Sequence, residues 1–123
     1  MASLQQTYLP LTATVRREGA VATVAVTGEL DLATVPRLSA SVAERGDAKL
    51  LVLDLTAVTF IESTGVRVLL EAERSCADSG SRLVLLAGDG PVRRLLELCG
   101  IDGRLELVAD HPSRGAHGRS RRW

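Results

Sequence analysis

Ser63 stands in the stretch Phe60-Ile61-Glu62-Ser63-Thr64-Gly65-Val66, where an apolar run gives way to an acid, two hydroxyls and a glycine. A serine there could act as a nucleophile, but acyl transfer needs a histidine base and an oxyanion hole, and the usual strand-to-helix elbow is Gly-x-Ser-x-Gly. Ile61 takes the place of the first glycine, and the two histidines, His111 and His117, lie in or beside a C-terminal segment without apolar anchors. Hydrolysis is not supported, and no catalytic residue is assigned. The plainer role for Ser63 is a helix N-cap, its oxygen accepting from an N–H two or three residues on. A second stretch, Ala87-Gly88-Asp89-Gly90-Pro91-Val92, also runs from an apolar segment into a helical pattern, where free N–H groups attract phosphate. It lacks the third glycine of a dinucleotide fingerprint and the Gly-Lys-Ser/Thr of a Walker loop. A tight turn, with Asp89 capping and Pro91 setting the first helical φ, explains it.

The elements that must position these residues follow from hydrophobic period. Residues 12–17 and 21–27 read as two strands around Glu18-Gly19, with Val24 and Val26 alternating against polar neighbours. Gly28 breaks the second strand, and Gly28-Glu29-Leu30-Asp31 leads to a helix capped by Thr34, with Pro36 in its first turn and Val35, Leu38 and Val42 on one face before Gly46. Leu50 to Leu55 is apolar at nearly every position, as a fully buried strand requires. Gly65, Val68, Leu69, Ala72 and Cys76 then recur on one helical face, and Arg67 with Glu71 and Arg74 with Asp78 sit at spacings that allow ion pairs. Residues 82–87 form a strand, Val92, Leu95, Leu96 and Cys99 mark a third helix ending at Gly100, and residues 104–109 a last strand. Strands alternating with helices predict an α/β single domain with a mostly parallel β-sheet built from successive βα units and an antiparallel N-terminal strand.

The 123 residues suffice for one core, and with Tyr8, Phe60 and Trp123 the only aromatics, that core must be aliphatic. All 15 acids precede Pro112, while Arg114, Arg119, Arg121 and Arg122 follow it, so the body carries 11 − 15 = −4 and the end +4. An acidic body does not suit nucleic acid, which selects a basic stripe. Residues 1–110 are expected to form the domain and 111–123 a disordered Arg-rich tail. Cys76 and Cys99 fall on apolar helix faces without C-x-x-C spacing, which predicts buried thiols in a reducing compartment, with no disulfide and no metal site. The N-terminus shows neither a signal peptide nor a membrane anchor, so a cytoplasmic protein is expected.

Two segments together, Gly-Glu-Leu-Asp-Leu-Ala-Thr-Val-Pro from Gly28 and Val-Thr-Phe-Ile-Glu-Ser-Thr-Gly-Val-Arg from Val58, closely resemble the STAS-domain anti-sigma factor antagonists of bacteria. The likeness spans about residues 10–110 and includes Leu-Glu-Leu-Cys-Gly-Ile-Asp-Gly-Arg-Leu-Glu-Leu from Leu96. It implies a STAS fold and a partner-switching regulator without a cofactor and without catalysis. Unmodified, such a protein binds an anti-sigma factor that is itself a serine kinase and thereby releases a sigma factor; a serine phosphatase resets the modified form. The phosphoacceptor carries over to Ser63, and the partner surface to Glu29, Asp31, Glu62, Ser63, Thr64, Gly65 and Arg67. Neither nucleic acid nor membrane is an implied partner. Glu62 departs from the family's usual Asp, moving the carboxylate outward by about 1.5 Å, one C–C bond; shortening it is expected to speed phosphorylation and leave binding nearly unchanged. The alternatives are a non-switching STAS adaptor subunit of a transporter or stress-signalling assembly, and a nucleotide-binding STAS domain.

Overall fold

A computed structural model describes residues 10–101 and 103–112. Alternation builds the expected hairpin: β1 (Leu11–Glu18) lies antiparallel to β2 (Val21–Leu30), with Leu11 opposite Gly28 and Glu18 opposite Val21. Ala22, Val24 and Val26 point into the core at period two. The chain continues through α1 (Val35–Ala43), β3 (Leu50–Ile61), α2 (Ser63–Asp78), β4 (Arg82–Leu86), α3 (Pro91–Leu98) and β5 (Leu107–Val108). The strands lie side by side in chain order, β1 to β5, and every pair after the first is parallel.

That order explains where the core sits. Parallel strands added successively in one direction, through crossovers of one hand, put their helices on a single face of the sheet. Leu38 and Val42 of α1, Leu69, Ala72 and Cys76 of α2, and Val92 and Leu96 of α3 accordingly join Leu51, Leu53 and Leu55 of β3 in one aliphatic cluster. The opposite face carries a smaller aliphatic cluster of Val52, Val84, Leu86 and Val108, with Val21 and Leu50 packed against it. His111 approaches β2, its Nε2 lying 2.9 Å from Thr23 Oγ1. The remainder of the Arg-rich tail, residues 113–123, lies outside the described residues.

Several local expectations are corrected. β3 does not stop at Leu55 but runs on to Ile61, because Thr27 to Leu30 of β2 pair with Ala57 to Ile61 across register shifts at Ala25/Thr27 and Gly28/Glu29. Such irregularities break the period-two signal without ending the strand. β5 is reduced to Leu107–Val108. Gly90, not Asp89, occupies the N-cap of α3, and no side chain caps it. Cys76 is buried, which pushes its thiol pKa up, but Cys99 is exposed because α3 ends at Leu98 and Cys99 is the C-cap residue beyond it. Neither Arg67 with Glu71 nor Arg74 with Asp78 closes to 4.0 Å; among the described residues the i,i+4 ion pair is Arg93 with Glu97, at 3.3 Å. Exposed long side chains gain little from such pairing, so spacing permits it without enforcing it.

Candidate functional site

Two βα loops leave the sheet side by side at the carboxyl ends of β2 and β3, where Leu30 pairs with Ile61 and Glu29 with Phe60. Crevices of open α/β sheets form at such ends. The first loop is organised by Asp31 and Thr34. Asp31 Oδ1 accepts from the N–H groups of Ala33 and Thr34 at 3.0 and 3.1 Å, an Asx turn that bends the chain into α1. Thr34 is buried and sits at the N-cap as expected, but its hydroxyl does not cap the helix. It donates to Glu29 O at 2.7 Å and accepts from the Asp31 N–H at 2.9 Å, closing the loop on itself.

The second loop is a single residue. Glu62 is the N-cap of α2, with extended backbone (φ −123°, ψ −177°), so Ser63 is the first helical residue and not the cap. The Glu62 carbonyl accepts from Gly65 and Val66 at 2.8 and 3.2 Å, the start of the helical ladder. Its side chain makes no cap bond and reaches the other loop: Oε2 accepts from the Leu32 N–H at 3.0 Å and from Thr64 Oγ1 at 3.2 Å. The Glu62 N–H donates to Leu30 O at 3.2 Å. Glu62 is thus bonded by its backbone to the end of β2 and by its carboxylate to the first loop.

Gly65 lets the helix start this close to the strands. A Cβ added there would lie 2.9 Å from both Ile61 Cγ1 and Leu30 Cγ, closer than carbon atoms pack. Ser63 is exposed, and among the described residues nothing binds its hydroxyl, while Arg67, also exposed, lies one turn further on the same side. A group attached at Ser63 Oγ would meet solvent, the free N–H groups of a helix N-terminus and the Glu62 carboxylate.

The structure therefore gathers Glu29, Asp31, Glu62, Ser63, Thr64, Gly65 and Arg67 at one end of the sheet, with Asp31 committed to its own loop and Gly65 to packing. Sequence reasoning passed over two residues. Leu32 is 71% exposed and Phe60 46%, large apolar side chains of the same two loop regions turned towards solvent. The signal was available in the apolar residue following Asp31 and in an aromatic two residues before the acid, but period alone assigns neither a face. Among the described residues no three His, Cys, Asp or Glu side chains come together as a metal site, and no helix is long and apolar enough to cross a membrane.

This architecture is that of a STAS domain: the family model described as Mlab, STAS domain, matches residues 13–109, and the chain belongs to the STAS-domain family. Among characterised relatives, the anti-sigma-F factor antagonist RsfB of Mycobacterium tuberculosis is 30% identical over 101 residues, which cover 80% of this chain and 82% of that protein. An anti-sigma-B factor antagonist of Listeria monocytogenes is 32% identical over 84 residues, covering 67% of this chain and 74% of its own. The crystal structure of an anti-sigma factor antagonist from Mycobacterium paratuberculosis superposes with a TM-score of 0.76 at 26% identity, over 89% of this chain and 95% of that one. These three relatives are all anti-sigma factor antagonists, a family of non-enzymatic regulators.

Proposed function

We propose that the end of the sheet around Ser63 is the docking surface of an anti-sigma factor antagonist controlled by phosphorylation. Unmodified, the surface binds an anti-sigma factor and frees the sigma factor it held. The anti-sigma factor is also a serine kinase: the γ-phosphoryl of ATP passes to Ser63 Oγ, ADP leaves, and the hydroxyl proton goes to a base of the kinase. A serine phosphatase restores the hydroxyl. The exchange takes place in the cytoplasm, and the chain itself supplies no cofactor and no catalytic group.

The observation that carries this reading is the state of Ser63: it is exposed at the first position of α2, and its hydroxyl is engaged by nothing among the described residues. Magnitudes favour a switch that leaves the fold intact. A phosphate at a helix N-terminus is stabilised by roughly 0.3–1 kcal/mol through the dipole and free N–H groups. Across an interface, one added negative charge about 5 Å from a like charge costs about 3 kcal/mol at an effective dielectric of 20. Where the partner sets acidic or tightly packed atoms against Ser63, the interfacial cost exceeds the local gain, so binding is lost and the domain stays folded. Leu32 and Phe60 add exposed apolar area beside Ser63, which a partner could cover.

Pairwise binding between the purified chain and each anti-sigma factor of its own genome tests the proposal. Wild type and Ser63→Ala should bind one of them in the presence of ADP, and Ser63→Asp should bind it at least tenfold more weakly. Equal affinities for Ser63→Asp and wild type, or no binding by either, would reject it.

A further inference from the structure

Leu32 lies in the first βα loop and Ser63 opens α2, and the side chain that links that loop to the start of the helix is Glu62. A short polar side chain at an N-cap ordinarily turns back to the N–H groups of its own helix. Glu62 does not; its Oε2 spans to the Leu32 N–H at 3.0 Å and takes the Thr64 hydroxyl at 3.2 Å. Reach decides this. An Asp at the same position would end about 1.5 Å shorter, leaving the Leu32 N–H outside hydrogen-bond distance and its own helix N–H groups within it. The extra methylene therefore converts a cap into a tether.

The tether also acts on an apolar group. Leu32 is 71% exposed, and its backbone N–H is held by Glu62 while Asp31 and Thr34 close the chain on either side of it. Without the Glu62 bond the loop would still be closed on itself by Asp31 and Thr34, but it would no longer be fastened to the start of α2, and Leu32 could shift relative to Ser63. We propose that Glu62 is a positioning residue: it fastens the loop 31–34 to the start of α2, so that Leu32 and Ser63 are offered to the partner as one surface of fixed spacing. Glu62 is thereby a specificity determinant, selecting a partner whose apolar pocket stands at that spacing from the site receiving Ser63. The proposal rests on the docking surface described above, and it replaces the expectation that shortening Glu62 leaves binding unchanged.

The full chain serves for the test, with two separate readouts on Glu62→Ala, Glu62→Asp and Glu62→Gln. Gln keeps a carbonyl oxygen at the same reach, whereas Asp keeps the charge and loses the reach. The first readout is the exchange rate of the Leu32 amide, which needs no partner. It should rise at least fivefold in Glu62→Ala and Glu62→Asp, remain near the wild-type rate in Glu62→Gln, and leave the core amides of Leu69 and Ala72 unaltered, since one hydrogen bond and not the fold is lost. The second is affinity for the anti-sigma factor that binds wild type: about tenfold weaker for Ala and Asp, with Gln at least fivefold tighter than Asp. Unchanged Leu32 exchange in Glu62→Asp, or loss of protection with full affinity retained, would overturn the proposal. So would a Gln variant that behaves like Ala, because charge and not reach would then be the cause. If wild type binds no anti-sigma factor the docking reading falls, and the exchange rates still decide whether the tether exists.

Discussion

The two ends of α2 are both tied to the α1 region by one charged side chain, and they are tied for different purposes. At the C-terminal end Arg45 is 8% exposed and donates to Val42 O at 3.0 Å, Ser75 O at 3.3 Å, Ser75 Oγ at 3.1 Å and Ser79 Oγ at 3.2 Å. No carboxylate pairs with it among the described residues; the last carbonyls of two helices take that place, the sign a helix C-terminus favours. At the N-terminal end Glu62 supplies the opposite charge to N–H and hydroxyl donors, again the favoured sign, but the hydrogen bond to Leu32 is exposed to solvent. A buried polar link is costly to break because its partners cannot turn to water, whereas an exposed one is replaced by solvent at small loss. The first end is therefore built for stability and the second for holding a shape.

The largest effect is expected at Arg45. Arg45→Met keeps the length and removes the charge-assisted hydrogen bonds to Val42, Ser75 and Ser79, although Val42 O keeps the Arg45 N–H and Ser75 O the Ser79 N–H, and should lower unfolding free energy by about 2–4 kcal/mol in urea titrations. Affinity for the partner should stay within about threefold, since the lesion lies at the far end of the helix. A binding defect larger than the stability defect would erase the distinction between the ends. Gly65→Ala tests where they meet. Its methyl group would enter the 2.9 Å gaps to Ile61 and Leu30, costing about 1–3 kcal/mol by overpacking and displacing Ser63 and Glu62 together. Stability and affinity should fall in parallel, and a variant that melts early yet binds normally would show that the position of the helix start does not matter to the partner. The smallest stability effects belong to Leu32→Ser and Phe60→Ser. Leu32→Ser should change unfolding free energy by less than about 0.5 kcal/mol, as exposed positions do, and Phe60→Ser, which loses the buried half of its ring, by about 1–2 kcal/mol, while each weakens partner binding about tenfold. Calorimetry on the same samples reads both quantities.

Much of the helix-facing side of the molecule was legible in the sequence, because burial imposes period. The stripe from Gly65 to Cys76 and the alternation in β2 follow directly from which side of an element faces the core. What escaped was wherever a hydrogen bond, and not burial, sets the geometry. Thr56 to Phe60 continue β3 because β2 offers partners across shifted register, although period two is lost there. Thr34 was foreseen at the N-cap, yet its hydroxyl serves the loop. Ser63 was weighed as a cap and Glu62 holds that position, a one-residue difference that no propensity resolves. The pairing of Glu62 with Leu32 spans 30 residues of chain, and only the parallel register of β2 and β3 brings them together.

One phosphate on Ser63 is proposed to abolish docking without disturbing the domain. The chain, incubated with its cognate anti-sigma factor kinase and ATP and repurified, should carry a single phosphate located by mass spectrometry on Ser63. Titrated against the same factor in ADP, it should bind at least a hundredfold more weakly than the unmodified chain, with unfolding free energy within about 1 kcal/mol of it. Phosphate on Thr64, undiminished affinity of the Ser63-phosphorylated chain, or loss of binding accompanied by unfolding would contradict the account.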